Sequence, residues 1–371
     1  MKKRELFVFA GQSNMMGASV FPPQRPISVF NSYEYKHKAR RLGADVGDFV
    51  AAGYPCGEFS YTDEHIKSAY SSENVNFEGK SLVGEYSKTT YFCPAMCNLK
   101  NEETHEEYPF SHFNEASMVA GASLAPIFAS EWEKKGHACA YAHIAKGATS
   151  ILHYFNQDMI EQYNESIRKT KEVHQTAWKT VEGSPMQYGA SAYFDRKTKD
   201  FFADAEARFD GEDLSVKAFV WCQGEAERSR SYEEYKLRLT VLWKHMKSLG
   251  FTHFLCVRVG YWGGSSQNTL HEIMRAQEDF CRETDNCYIV TRAMSLMAHM
   301  DIDGTDWFAE APGEEYLGCR DSYFGFKNHH INEKGFWLIA GRMAENLARL
   351  LYEEKAPLLE KENISKLIGW T

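Results

Sequence analysis

Apolar residues along this chain fall into two kinds of pattern that alternate. Short runs, apolar at nearly every position, occur at 6–10 (LFVFA), 137–145 (HACAYAHIA), 216–225 (VKAFVWCQGE), 252–260 (THFLCVRVG) and 286–293 (NCYIVTRA). Each is short and ends in glycine or polar residues, the pattern of a strand buried on both faces. Between them lie stretches with apolar residues three or four apart. These predict helices over 115–135, 156–180, 231–250, 270–283 and 332–354. Gly250 closes the third of these as a C-terminal stop. Strand and helix in alternation predict an α/β domain: a mostly parallel, five-stranded sheet between two helical layers. In such sheets the chemistry sits in loops at the carboxyl ends of the strands.

One region breaks the alternation. Residues 18 to about 112 hold FPPQRP, many aromatics and no helix of length. This is too long for a plain loop, so it is expected to be an insertion in a single domain spanning 1–371, serving as a lid or substrate wall. Its tyrosines (NSYEY, EYSKTTYF), with Trp221 and Trp262, are candidates to stack on a ring, although core packing is the expected role of Trp221.

Composition narrows the classes. Apolar residues make up 43% of the 371 and the formal charge is −9, enough core for a globular fold and the wrong sign for a nucleic-acid binder. No run approaches the ~18 apolar residues of a membrane span. MKKRELFVFAGQSNM has too short an apolar run and no small-residue cleavage site for a signal peptide. The nine cysteines are widely spaced and mostly embedded in apolar runs, which suits buried free thiols in the cytoplasm. Cys93 and Cys97 frame CPAMC, but no second pair completes a zinc spacing, so no metal and no cofactor are expected.

Four strand-end segments carry candidate chemistry. Gly11-Gln12-Ser13-Asn14 puts a serine where a strand turns into a helix, its hydroxyl exposed and the first helical N–H groups available to a developing oxyanion. Gly147 in AKGATS offers an uncrowded N–H, and Gln223 in WCQGE a neutral side-chain donor. His329 and His330 stand just before the last helix, where an imidazole can act as base near neutral pH.

FVFAGQSNMMG, AKGATSI, WCQGE and HHINEKGFWLIAGRMA resemble, in order, the sequence blocks of the SGNH (GDSL-like) hydrolase superfamily, and MRAQEDF (274–280) matches a further stretch. The branch they look like is the carbohydrate esterases that include acetylxylan esterases and sialate O-acetylesterases. The resemblance implies a flavodoxin-like α/β/α sandwich and a serine esterase that removes acetyl groups from small carbohydrate esters. It makes Ser13 the nucleophile and His330 the base. The oxyanion hole would be the Ser13 and Gly147 amides with the Gln223 side chain, and Gln12 and Glu225 would support the loops. The family's usual aspartate three residues before the histidine is Lys327 here. Asp321 and Asn328 are the nearest side-chain candidates to orient the imidazole, Asp301, Asp303 and Asp306 lie further off, and a backbone carbonyl could accept the Nδ1 proton instead. Without any of these the centre is a Ser–His dyad, or the scaffold is a retired, carbohydrate-binding one. A sialate substrate would need a cation, for which the chain offers Arg258, Arg275 and Arg228.

Overall fold

The computed structural model describes residues 2–17, 27–37, 47–54, 123–145, 147, 149–173, 179–260, 270–300 and 330–359. Five strands run where the continuous apolar runs predict them: β1 (Glu5–Gly11), β4 (Cys139–Ala145), β5 (Lys217–Cys222), β6 (His253–Val257) and β7 (Cys287–Thr291). They lie in the order β4-β1-β5-β6-β7, every neighbouring pair parallel. Counted along the chain, that order is 2-1-3-4-5.

The reason these runs are apolar throughout is visible in β1. Leu6, Val8 and Ala10 enter one core, while Phe7 and Phe9 enter another on the opposite face. The first core is closed by α3 (Gln157–Val173), α4 (Pro185–Arg208), α5 (Tyr232–Ser248) and α6 (His271–Glu283). The second is closed by α2 (Leu124–Lys134), α7 (Ala293–Met300) and α8 (Glu333–Tyr352). Helices on both faces leave the central strands no polar side.

The expectation of a five-stranded sheet is corrected. Among the described residues the sheet has seven strands, six parallel and one antiparallel. The extra pair, β2 (Ile27–His37) and β3 (Gly47–Tyr54), comes from the region expected to be an insertion and extends the sheet beyond β4. β2 carries polar residues and an irregular register between Ser28 and Tyr33, so its strand pattern is broken in the sequence. Tyr33 and Tyr35 from NSYEY turn toward α4: Tyr35 packs at a tilt against Phe201 and donates to Asp204 at 2.5 Å, and Tyr33 packs near Phe209. Both rings are engaged in packing. Of the region 18–112 expected to be a lid or wall, residues 18–26, 38–46 and 55–112 lie outside the described residues, as do the first part of the helix expected at 115–135, Trp262, and, within the region, EYSKTTYF, Cys93 and Cys97.

Helix α4, 24 residues long, has no counterpart in the sequence pattern. It starts on a capping box in which Ser184 accepts from the Gln187 amide and Gln187 accepts from the Ser184 amide, with Pro185 in the first turn. Its buried stripe runs through Ala190, Tyr193, Phe194, Phe201, Phe202 and Ala205, but Lys197 and Thr198 occupy the middle. Trp221 is fully buried against Tyr154 and Phe219, as expected of a packing residue. Five cysteines, Cys139, Cys222, Cys256, Cys281 and Cys287, are buried free thiols. Among the described residues no helix is long and apolar enough to cross a membrane.

Candidate active site

The carboxyl ends of β1, β4 and β5 lie side by side, with Gly11 level with Ala145 and Cys222. Gly11 is required there by space. A Cβ on it would stand 2.0 Å from the Cys222 carbonyl oxygen, closer than any real contact, so β1 and β5 approach this tightly only through glycine. Tyr154 holds the same residue from the other side: its hydroxyl accepts from the Gly11 amide at 2.8 Å and donates to the Gly11 carbonyl at 2.9 Å.

The chain then leaves the sheet. The Gln12 amide still donates to Cys222 O at 3.1 Å, and a single helical turn, α1 (Ser13–Met16), follows. The turn closes through Met16 N to Gln12 O at 2.8 Å, and Gly17 ends it in the left-handed conformation. Ser13 is the first residue of this turn, half-buried, with Asn14, Met15 and Met16 buried beneath it. Its N–H belongs to the first helical turn, whose donors have no partner inside the helix.

Gly147 lies against this serine. A Cβ built on it would be 3.9 Å from Ser13 Cβ and 3.4 Å from Met16 Cε. Gln223, fully buried after β5, has its amide fixed by two partners: Nε2 donates to Thr149 O at 3.2 Å and Oε1 accepts from Tyr235 Oη at 3.0 Å. The second Nε2 proton is the one such a side chain has left for an oxyanion. Gln277, from the MRAQEDF stretch, supports this loop by donating to Gln223 O at 2.8 Å while accepting from Val259 N.

Asn14 is the residue whose importance the sequence does not reveal. Its Oδ1 accepts from the Ile331 amide at 3.1 Å, and its Nδ2 donates to Glu225 Oε1 at 2.7 Å. One buried amide therefore ties the turn holding Ser13 to the segment holding His330, across 317 residues of sequence. His330 itself is half-buried, with Nδ1 shielded from solvent. Lys327, Asn328, His329 and the aspartates 301, 303, 306 and 321 lie outside the described residues.

The two residues expected to support the loops do make cross-loop bonds. Gln12 Oε1 accepts from Ala226 N at 3.1 Å. Glu225 is buried, and burial pushes its carboxyl pKa up, opposed by the hydrogen bond from Asn14. Burial and the nearby Glu225 both push the Cys222 thiol up, which keeps it protonated. Nothing in the sequence singles out Glu227, which is buried two residues beyond Glu225. Among the described residues no group of three or more His, Cys, Asp or Glu is placed to hold a metal.

The cations offered for a sialate carboxylate are otherwise engaged or exposed. Arg258 donates to Glu278 at 2.8 Å and to Ser295 at 2.7 Å, and Arg275 lies over the Tyr232 ring. Arg228 is exposed. A separate cavity of about 420 Å³, lined by Lys2, Lys3, Asn31, Glu133, His137 and Tyr352 among others, opens where β1 and β4 begin, at the far end of the sheet from Ser13.

No family model matches the chain, and no curated protein matches it. Among solved structures, a protein of Arabidopsis thaliana determined by X-ray crystallography at 1.6 Å is similar at 14% identity, with 92% of this chain and 97% of that chain covered and a TM-score of 0.44.

Proposed function

We propose that this chain is a serine esterase of the SGNH type that removes O-acetyl groups from small carbohydrate esters. The observation that carries the reading is the convergence at one sheet end of four segments remote in sequence. Ser13 heads a turn after β1, Gly147 lies against it, Gln223 ends β5, and Asn14 binds the amide next to His330. The 2-1-3-4-5 order of the five core strands supports a flavodoxin-like arrangement, in which ligands bind at the carboxyl ends of the strands near β1.

The chemistry follows from the residue types. The imidazole of His330 takes the Ser13 hydroxyl proton as Oγ attacks the acetyl carbonyl. The Ser13 and Gly147 amides and the Gln223 side chain receive the negative charge on the carbonyl oxygen. The imidazolium returns the proton to the departing sugar oxygen, leaving acetyl-Ser13. Water, deprotonated by His330, then releases acetate and restores the hydroxyl. The orienting group for His330 is sought among Asp321 and Asn328, or the centre works as a dyad. The carbohydrate class rests on the sequence blocks. Neutral acetylated oligosaccharides need no cation; of those a sialate would need, Arg258 is already paired with Glu278, which leaves Arg228 and Arg275 as candidates.

The test is hydrolysis of p-nitrophenyl acetate by wild type, Ser13→Ala and His330→Ala, followed by acetylated xylo- and manno-oligosaccharides against O-acetyl sialic acid. Loss of a nucleophile or its base is expected to lower kcat by a factor on the order of 10⁴ or more. Wild-type turnover no faster than Ser13→Ala on every ester refutes the reading. Retained binding of the oligosaccharides in that case identifies a carbohydrate-binding scaffold instead.

A further inference from the structure

We infer that Glu227 is a positioning residue that sets the distance between the two loops supplying oxyanion donors, with Arg238 as its buried counter-charge. Glu227 sits in the single 3₁₀ turn Glu225–Glu227 after β5, and its side chain is 1% exposed. One carboxylate oxygen, Oε1, accepts from Ser150 Oγ at 2.5 Å and from the Ile151 amide at 3.0 Å. The other, Oε2, accepts from Arg238 Nη1 at 2.7 Å. Ser150 in turn caps the short turn Ile151–Tyr154 by accepting from Leu152 N.

The loop held this way begins at Gly147 and includes Thr149, the carbonyl partner of Gln223. Glu227 and Gln223 are four residues apart in the segment that follows β5, and both grip residues 149–151. The β4 loop thus cannot move relative to the β5 loop without breaking charge-assisted bonds. Burying an ion pair adds little net stability, because desolvation offsets the attraction. What Glu227 does provide is a fixed spacing, and donor placement is what an oxyanion site depends on. Arg238 pairs with the carboxylate out of reach of bulk solvent: it is also 1% exposed, and its cation lies over the Tyr163 ring.

The catalytic half of this inference rests on the esterase reading; the structural half does not. Two neutral double variants separate them. Glu227→Leu/Arg238→Met removes charge and acceptor together, and Glu227→Gln/Arg238→Gln removes the charges but keeps an oxygen for Ser150 and Ile151. Hydrogen exchange of the full chain, followed in a peptide covering 147–155, is expected to quicken in the Leu/Met variant and stay slow in the Gln/Gln variant, while α5 stays protected in both. On p-nitrophenyl acetate, the Leu/Met variant is expected to lose about 10- to 100-fold in kcat, with KM within about three-fold, as for a misplaced donor. The Gln/Gln variant should recover most of that loss. Binding of a boronic acid that forms a tetrahedral adduct should weaken in parallel with kcat.

Unchanged exchange in the Leu/Met variant overturns the inference, whether or not the wild type is an esterase. So does an active wild type whose Leu/Met variant keeps its kcat, or loses it only through KM. A wild type no faster than Ser13→Ala refutes the esterase reading alone, and the exchange result then decides the positioning role.

Discussion

Replacing Asn14 tests whether one amide holds the Ser13 turn to the His330 segment. In Asn14→Leu, a change of similar volume, two buried groups lose their partner at once: the Ile331 amide, bonded at 3.1 Å, and Glu225 Oε1, bonded at 2.7 Å. Each buried polar group left without that partner costs about 1–3 kcal/mol, more where it is charged. The sum, about 2–6 kcal/mol, is a large share of the roughly 5–15 kcal/mol that holds a domain folded. Asn14→Asp discriminates further. Its carboxylate still accepts from Ile331, but it now faces Glu225 across the former amide bond, and the two oxygens hold together only by sharing a proton. The folded state then binds a proton that the unfolded state has released. Stability therefore falls as pH rises, by up to about 1.4 kcal/mol per pH unit over part of the range. Urea unfolding followed by tryptophan fluorescence between pH 4.5 and pH 8 measures both. Asn14→Asp should approach wild type near the acidic limit and drop away toward neutrality. Asn14→Leu should stay weaker at every pH, since the Ile331 amide has lost this acceptor throughout. An Asn14→Leu variant within about 1 kcal/mol of wild type at neutral pH, or an Asn14→Asp curve parallel to wild type, refutes the clamp.

Three further outcomes follow from the same geometry. Gly11→Ala places a methyl group 2.0 Å from Cys222 O, so β1 and β5 must part, at the upper end of the roughly 1–3 kcal/mol of overpacking or beyond. Gly341→Ala in α8, where the nearest foreign atom is Glu131 Oε2 at 3.8 Å, should instead stabilise by about 0.5–1 kcal/mol; thermal melts of the pair read the contrast. Tyr154→Phe takes the hydroxyl from the Gly11 amide and carbonyl and should cost about 1–3 kcal/mol by urea unfolding. Glu225→Gln tests the buried carboxyl. Its folded pKa is raised above 4.5 by burial, so between those two values the folded state holds a proton that the unfolded state lacks, and wild-type stability declines as pH rises through the window. Relative to wild type, the glutamine variant should therefore gain stability with rising pH and lose its advantage as pH falls to 4.5. A pH-independent difference contradicts the assigned direction.

The parts of the fold legible in the sequence are those where a single local pattern and the final environment agree. β1, β4 and β5 are apolar at nearly every position because both faces are covered, and α6 and α8 show their buried stripes plainly. Where one residue contradicts its surroundings the pattern fails. Lys197 and Thr198 interrupt the stripe of α4 between Phe194 and Phe201, and a 24-residue helix disappears from view. β2 and β3 fail differently: they continue the sheet past β4, and the irregular pairing of β2 at Ser28/Tyr33 breaks the alternation that marks a strand.

The site was legible only by the order of its blocks, and the reason is physical. Gln12, Asn14, Gln223, Glu225 and Glu227 all stand in turns, where polar residues ordinarily face water, yet all five are buried. A buried polar side chain is stable only with a partner, and these partners are distant in sequence. Asn14 meets Ile331 across 317 residues, Gln12 meets Ala226 across 214, and Glu227 meets Ile151 across 76. No local window contains both halves of such a bond, so the supporting framework cannot be read from spacing. The candidate reactive groups are weak signals singly, since a turn glycine, a capping serine or a surface histidine is commonplace, and they become readable only through the order of the blocks that carry them. On the proposed esterase reading, substitutions at Gln12, Asn14, Glu225 and Glu227 should therefore behave alike: each removes a link between loops rather than an oxyanion donor or a reacting group, so each should lower kcat while leaving Ser13 and His330 chemically intact.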